Sequence, residues 1–222
     1  SLMMRRYFVI VFMALLMAVP VSAQRHFLSP VTNLGISFDA DTNHPLFTGS
    51  LRAFMEIGKP SDFLNLSFGA GYRGFFDRTP PHEFVRNASV SDYLLYSSDY
   101  GESNEVRPVG GQVVVPVEAS LRIVPLGDDV FLTVGCGAEY GVRLYQSQRY
   151  ARYYGDHMLN PSSLSIYPML GIEGDVDEIS LSLALYWRHY TNSPLNYENL
   201  WDPEKFDAKN FIGIQLAVGF EL

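Results

Sequence analysis

Apolar and polar residues alternate with a period of two in eight stretches of this chain, and within them every charge falls on the polar parity. In the seventh stretch, Ile179, Leu181, Leu183, Leu185 and Trp187 share one face. Ser180, Ser182, Ala184, Tyr186 and Arg188 share the other. Successive side chains of a strand point to opposite sides of the sheet, so the pattern makes one greasy face and one ionised face. A sheet closed on itself with the greasy face outward satisfies all its backbone groups internally and suits lipid. The expected fold is therefore all-β, an eight-stranded antiparallel transmembrane up-and-down β-barrel, apolar outside, with a charged, plugged lumen.

Strands are expected near 33–41, 48–59, 63–77, 111–125, 129–146, 163–174, 178–190 and 211–222. Three connections are tight and carry turn-forming Pro, Gly and Asp: Lys59-Pro60-Ser61-Asp62, Leu126-Gly127-Asp128 and Asp175-Val176-Asp177. Three are long: 78–110, 147–162 and 191–210. Short turns at one end and long loops at the other are the pattern of membrane barrels, and the short 42–47 connection falls at the long-loop end. Pro116 and Pro168 lie inside expected strands, where each should mark a bulge or a lost ladder bond.

The charged face offers Asp39, Arg52, Glu56, Arg73, Glu118, Arg122, Glu139, Arg143, Glu173, Arg188 and Glu221. An eight-stranded barrel has just enough interior for side chains to fill, and buried charges must pair or be hydrated. Arginine–carboxylate ladders are the expected plug, with interspersed glycines such as Gly137 and Gly213 making room for long side chains. On the opposite face Tyr72, Tyr140 and Trp187 sit where an interfacial aromatic belt belongs. The competing arrangement is a lipocalin-type soluble barrel, closed around the apolar face with its charges in water.

Residues 1–23 read as a cleaved signal peptide. Arg5 and Arg6 precede the apolar run Tyr7–Val19, and Pro20-Val21-Ser22-Ala23 ends it with small residues. The barrel then occupies 24–222, exported through the inner membrane. Without Arg5 and Arg6 the 16 basic residues fall to 14 against 24 acidic, a net charge of about −10, which is the wrong sign for a nucleic-acid binder. The single cysteine, Cys136, lies on the apolar parity and reads as a small lipid-facing hydrophobe. The five histidines are scattered, and neither a metal site nor a cofactor motif is apparent.

In this pattern the chain resembles the small eight-stranded outer-membrane barrels of Gram-negative bacteria. Phe211–Leu222, alternating and ending in a hydrophobe, looks like their barrel-assembly signal, although the final aromatic is Phe220. The resemblance implies residence in the outer membrane, among lipid and lipopolysaccharide. His189-Tyr190-Thr191-Asn192 is also similar to the His-x-Ser-Asn segment of the outer-membrane lipid A deacylases. That likeness implies a lipid-facing hydrolase pair of His189 and Thr191, or less directly Ser193, with Glu198 or Glu204 to orient the histidine. The other reading makes His189 part of the interfacial belt beside Trp187, and Thr191 the start of a loop.

The long loops hold Tyr93, Tyr96 and Tyr100, then Tyr150, Tyr153 and Tyr154, then Trp201. Tyrosine gives large contact area at low entropic cost. The main functional expectation is a non-enzymatic barrel whose loops serve adhesion, recognition or docking to an extracellular or envelope partner. The alternatives are a lipid A-modifying hydrolase and an accessory subunit of a secretion or uptake machine.

Overall fold

The computed structural model describes residues 31–43, 46–57, 64–78, 106–147, 159–176, 179–195 and 208–221. The chain forms β1 (Val31–Asp41), β2 (Leu46–Ile57), β3 (Leu64–Asp77), β4 (Arg107–Pro125), β5 (Val130–Gln146), β6 (Ser162–Val176), β7 (Ile179–Tyr190) and β8 (Asn210–Glu221). Each strand pairs antiparallel with the next, and β8 closes on β1 from Val31↔Glu221 to Asp41↔Phe211. Closure leaves no edge strand with unpaired backbone groups.

The faces divide as the alternation requires. Leu51, Phe38, Leu170, Leu185 and Ile212 are exposed on the outer wall, and Arg52, Arg73 and Arg188 lie buried inside. A lipocalin-type barrel would reverse both sets, so the soluble arrangement is excluded. The free thiol of Cys136 is exposed. Tyr72, Tyr140 and Trp187 lie exposed on the wall in the long-loop half of their strands.

The structure corrects several boundaries: β1 begins at Val31 rather than 33, β2 runs Leu46–Ile57 rather than 48–59, and the largest change is in β4. β4 begins at Arg107 rather than 111, so the connection before it is shorter than 78–110. The pairing of β3, β4 and β5 shifts at Phe75/Phe76 and at Gly111/Gln112. A bulge exchanges the two faces of a strand. Val109 is the extra residue of β4, between Phe75↔Gly110 and Phe76↔Pro108, so residues 107–108 are out of phase with 110–118, and a single alternation cannot run through both.

The prolines cost ladder bonds without bending the register. Pro116 pairs with Glu139 of β5, but the β3–β4 pairing skips from Phe68↔Val117 to Gly71↔Val114. Pro168 pairs with Cys136, and the β6–β7 pairing skips from Ile166↔His189 to Met169↔Tyr186. In both cases the missing donor leaves a gap on one side only.

Candidate functional site: a three-tiered lumen

The long-loop end of the lumen is closed by apolar side chains. Leu46, Phe75, Val109, Leu159, Tyr190, Leu195, Ala208 and Phe211 are all buried there. Tyr190 and Phe211 meet edge to face, 5.4 Å between ring centres. Leu159 and Leu195 come from outside the strands and form an isolated antiparallel bridge. Asn160 reinforces it, its backbone N–H donating to the Pro194 carbonyl at 2.9 Å and its Nδ2 to the Ser193 carbonyl at 2.6 Å. Burying a large apolar side chain stabilises by about 1.5–3 kcal/mol, which favours the closed mouth.

Beneath this cap is a layer of interlocked charges. Glu139 of β5 is its hub. Arg73 grips it through two parallel hydrogen bonds, Nε to Oε1 at 2.9 Å and Nη2 to Oε2 at 3.2 Å. Arg188 donates to Oε1 at 3.0 Å, and Arg52 lies 3.4 Å from Oε2. Asp39 binds Arg73, accepts from Tyr186 and from Thr48 (2.9 Å), and lies 3.4 Å from Arg188 Nε. Glu118 pairs with Arg52 at 3.4 Å and accepts from the Tyr167 hydroxyl at 2.8 Å. The Arg188 guanidinium also lies over the Tyr167 ring, 4.2 Å from its centre. Three arginines thus face three carboxylates in a neutral cluster. The paired hydrogen bonds offset desolvation that an isolated ion could not survive. Gly137 and Gly213 are required here, because a Cβ would overlap the Tyr167 ring at one and Asp39 and Tyr186 at the other.

The tight-turn end is wetter. A cavity of about 70 Å³ is lined by Asn33, Glu56, Asn65, Ser67, Thr133 and Ser180, among others. At about 10–15 Å³ per water centre, it has room for several waters. At this end Arg122 donates to Glu173 at 2.6 Å and to Asp175 at 3.2 Å, and its guanidinium stacks on Phe131, 4.9 Å away. Asn33 Nδ2 donates to Glu56.

Two residues of the charged face differ in role from a carboxylate ladder or escape description. Arg143, half-buried at the mouth, donates to the Leu159 carbonyl at 2.8 Å and meets no carboxylate among the described residues, because its place on β5 lies above the charge layer. Glu221 ends β8 opposite Val31, and its side chain lies outside the described residues. Sequence reasoning missed Tyr167, Gln215 and Ser165 as partners of the arginines. The signal was present, since Tyr167 shares parity with Glu173, and Gln215 with Glu221. Leu159 and Leu195 carried no such signal, because they belong to no alternating run.

At the outer wall, His189 Nδ1 and Asn210 Oδ1 are 2.8 Å apart, and the imidazole centre is 6.1 Å from the Trp187 ring. The Thr191 hydroxyl lies 3.2 Å from both the Leu164 carbonyl and Asn192 Oδ1 and donates its one proton to one or the other. Ser193 Oγ is directed to the Ala208 carbonyl at 3.4 Å. Among the described residues an uncharged amide holds the histidine where a triad needs a carboxylate. No hydrogen bond joins His189 to Thr191 or Ser193 among them. Glu198 and Glu204 lie outside the described residues, as do Tyr93, Tyr96, Tyr100, Tyr150, Tyr153, Tyr154 and Trp201.

The fold and its lumen define a barrel of the membrane class: closed, greasy outside and ionised within. No family model matches the chain, and no curated protein matches it. Among solved structures it is similar to the N-terminal β-barrel domain of Pseudomonas aeruginosa OprF, with a TM-score of 0.45 and 9% identity over 86% of this chain and 97% of that one. It is also similar to a major outer membrane protein from Thermus thermophilus, with a TM-score of 0.44 and 11% identity over 86% of this chain and 99% of that one.

Proposed function

We propose that this chain is an outer-membrane barrel that conducts nothing and acts through its loops. Its tight turns face the periplasm and its long loops face outward, where they recognise an extracellular or envelope partner. The observation that carries the reading is the double closure of the lumen, an apolar cap over a neutral ion layer. A barrel sealed in this way has no solute path, which leaves its surfaces to do the work. Long loops are uncommon unless they serve such a role, and these are rich in tyrosine. The bridge between Leu159 and Leu195 supports the reading by tying the bases of two loops together.

Two measurements test it. Protein reconstituted in planar bilayers is expected to give no steady conductance, and a stable open level would contradict the closed lumen. Cells displaying the protein are expected to bind components of protein or glycan arrays. Replacing Tyr93, Tyr96, Tyr100, Tyr150, Tyr153, Tyr154 and Trp201 by serine should abolish that binding, and unchanged binding would overturn the loop role. The lipid hydrolase reading gains no support from the outer wall, where the Thr191 hydroxyl is already engaged by Leu164 or Asn192. Mass spectra of lipid A from cells with and without the protein should be identical.

A further inference from the structure

The outer wall is not the same all round at its long-loop end. Three glycines on adjacent strands stand in register there: Gly49 of β2 pairs with Gly74 of β3, and Gly74 with Gly111 of β4. Phe38 of β1 and Tyr145 of β5 end the row on either side. Aromatic rings lie over the space that the missing side chains leave. A Cβ on Gly49 would touch the Phe38 ring at 3.8 Å, and one on Gly74 would meet the Phe76 ring at 3.1 Å. One on Gly111 would overlap the ring and hydroxyl of Tyr72. Phe47 stacks on Phe76, with 6.2 Å between ring centres and 16° between ring planes.

These rings make an aromatic plate that crosses β1 to β5. Phe38, Tyr72 and Tyr145 are exposed on it, and Phe47 and Phe76 are half-buried. No charged side chain stands in the glycine row, but the plate has a polar centre. The Tyr72 hydroxyl reaches across Gly111 and donates to that of Tyr145 at 3.2 Å. Among the described residues this leaves the Tyr145 proton, and lone pairs on both oxygens, for another molecule. The sector of β6, β7 and β8 differs. Leu164, Ile166, Leu185, Ile212 and Ile214 are exposed there, with Trp187 among them. Branched side chains make a rough surface that suits flexible acyl chains, whereas rings laid against glycines make a flat one.

We propose that this plate binds the sugar ring of a glycolipid. The C–H groups on the flat face of a sugar carry a small positive charge and meet the negative faces of aromatic rings. Sugar hydroxyls match the tyrosine pair as both donors and acceptors. An acyl chain gains nothing from the hydroxyls, and a phosphate headgroup without a sugar finds no cation in the row. The plate lies on the lipid-facing wall in the long-loop half of its strands, where a belt of aromatic side chains meets the headgroup layer. The proposal goes beyond the loop function. Only the leaflet that supplies the lipid rests on the long loops facing outward, and binding in detergent does not depend on it.

Native mass spectrometry of the full chain in a sugar-free polyoxyethylene detergent tests the idea. The probes are monoglucosyl diacylglycerol and lipid A, with phosphatidylethanolamine and diacylglycerol as sugar-free controls. The glucolipid is expected to bind about two- to tenfold more tightly than either control. Tighter binding of it than of lipid A assigns the plate to neutral sugar lipids, and the reverse order assigns it to phosphorylated ones. Replacing Phe38 and Tyr145 together by leucine, which keeps the wall apolar, should erase the preference over the controls. Tyr145→Phe should retain part of it, and Trp187→Leu, in the other sector, should leave it unchanged. Folding of each variant is checked by the electrophoretic mobility of unheated samples. The proposal is overturned if the glucolipid binds the wild type no better than phosphatidylethanolamine or diacylglycerol. A preference that survives in the folded double leucine variant, or that Trp187→Leu erases, would also overturn it.

Discussion

The two ends of the lumen hold charge by different means. In the layer under the cap, Arg52, Arg73, Arg188, Asp39 and Glu139 are all 3% exposed or less, and each is fixed by other charges, hydroxyls or rings. At the tight-turn end, Glu56, Ser180, Ser182 and Thr133 are half-buried around a cavity, and water can satisfy much of what the protein does not. Pairing makes the first region stiff and intolerant of any single change. Hydration makes the second tolerant and leaves it open. The contrast shows that a barrel of fixed width can be either plug or vestibule, depending on whether long arginines or short hydroxyls point inward.

Glutamates give the largest expected contrast. Glu139→Gln strips the hub from three arginines and leaves buried positive charge uncompensated, so it should lower unfolding stability by about 3–5 kcal/mol. Glu56→Gln at the wet end should change stability by no more than about 0.5 kcal/mol. Urea unfolding in detergent, followed by electrophoretic mobility, reads both. Equal losses would break the distinction between the regions.

Accessibility should differ in the same sense. In a Cys136→Ala background, Ser182→Cys should react readily with a water-soluble maleimide added from the tight-turn side. Ser165→Cys, buried beside Arg188, should remain unlabelled in the folded state. Labelling of both would mean that water penetrates the ion layer. A modest effect is expected on the wall, well below that of Glu139→Gln. The Tyr72 hydroxyl donates to that of Tyr145 at 3.2 Å, and Tyr72→Phe should cost about 0.5–1.5 kcal/mol, read by the same unfolding assay.

The fold was legible because alternation reports faces directly. Ile179 through Trp187 show the whole argument in one strand. The start of β4 was not legible, because the bulge at Val109 resets the parity that a reader follows. Of the lumen, parity revealed which charges point inward but not which carboxylate they share. That Glu139 gathers three arginines depends on the registers of β2, β3, β5 and β7 together, and no local pattern encodes them. The apolar cap was hidden for a related reason. Phe75, Tyr190 and Phe211 share parity with the charges below them, and only their height in the barrel turns an ionised face into a greasy one.

Trp187 offers the most direct test of the central claim, that the apolar face meets lipid while the ions face the axis. Its ring is 49% exposed on the outer wall, one residue before the fully buried Arg188. In a Trp201→Phe background, Trp187 fluorescence in vesicles should be strongly quenched by phospholipids brominated on their acyl chains and little affected by acrylamide in the water. Strong acrylamide quenching with no effect of brominated lipid would place this face in water and contradict the membrane barrel.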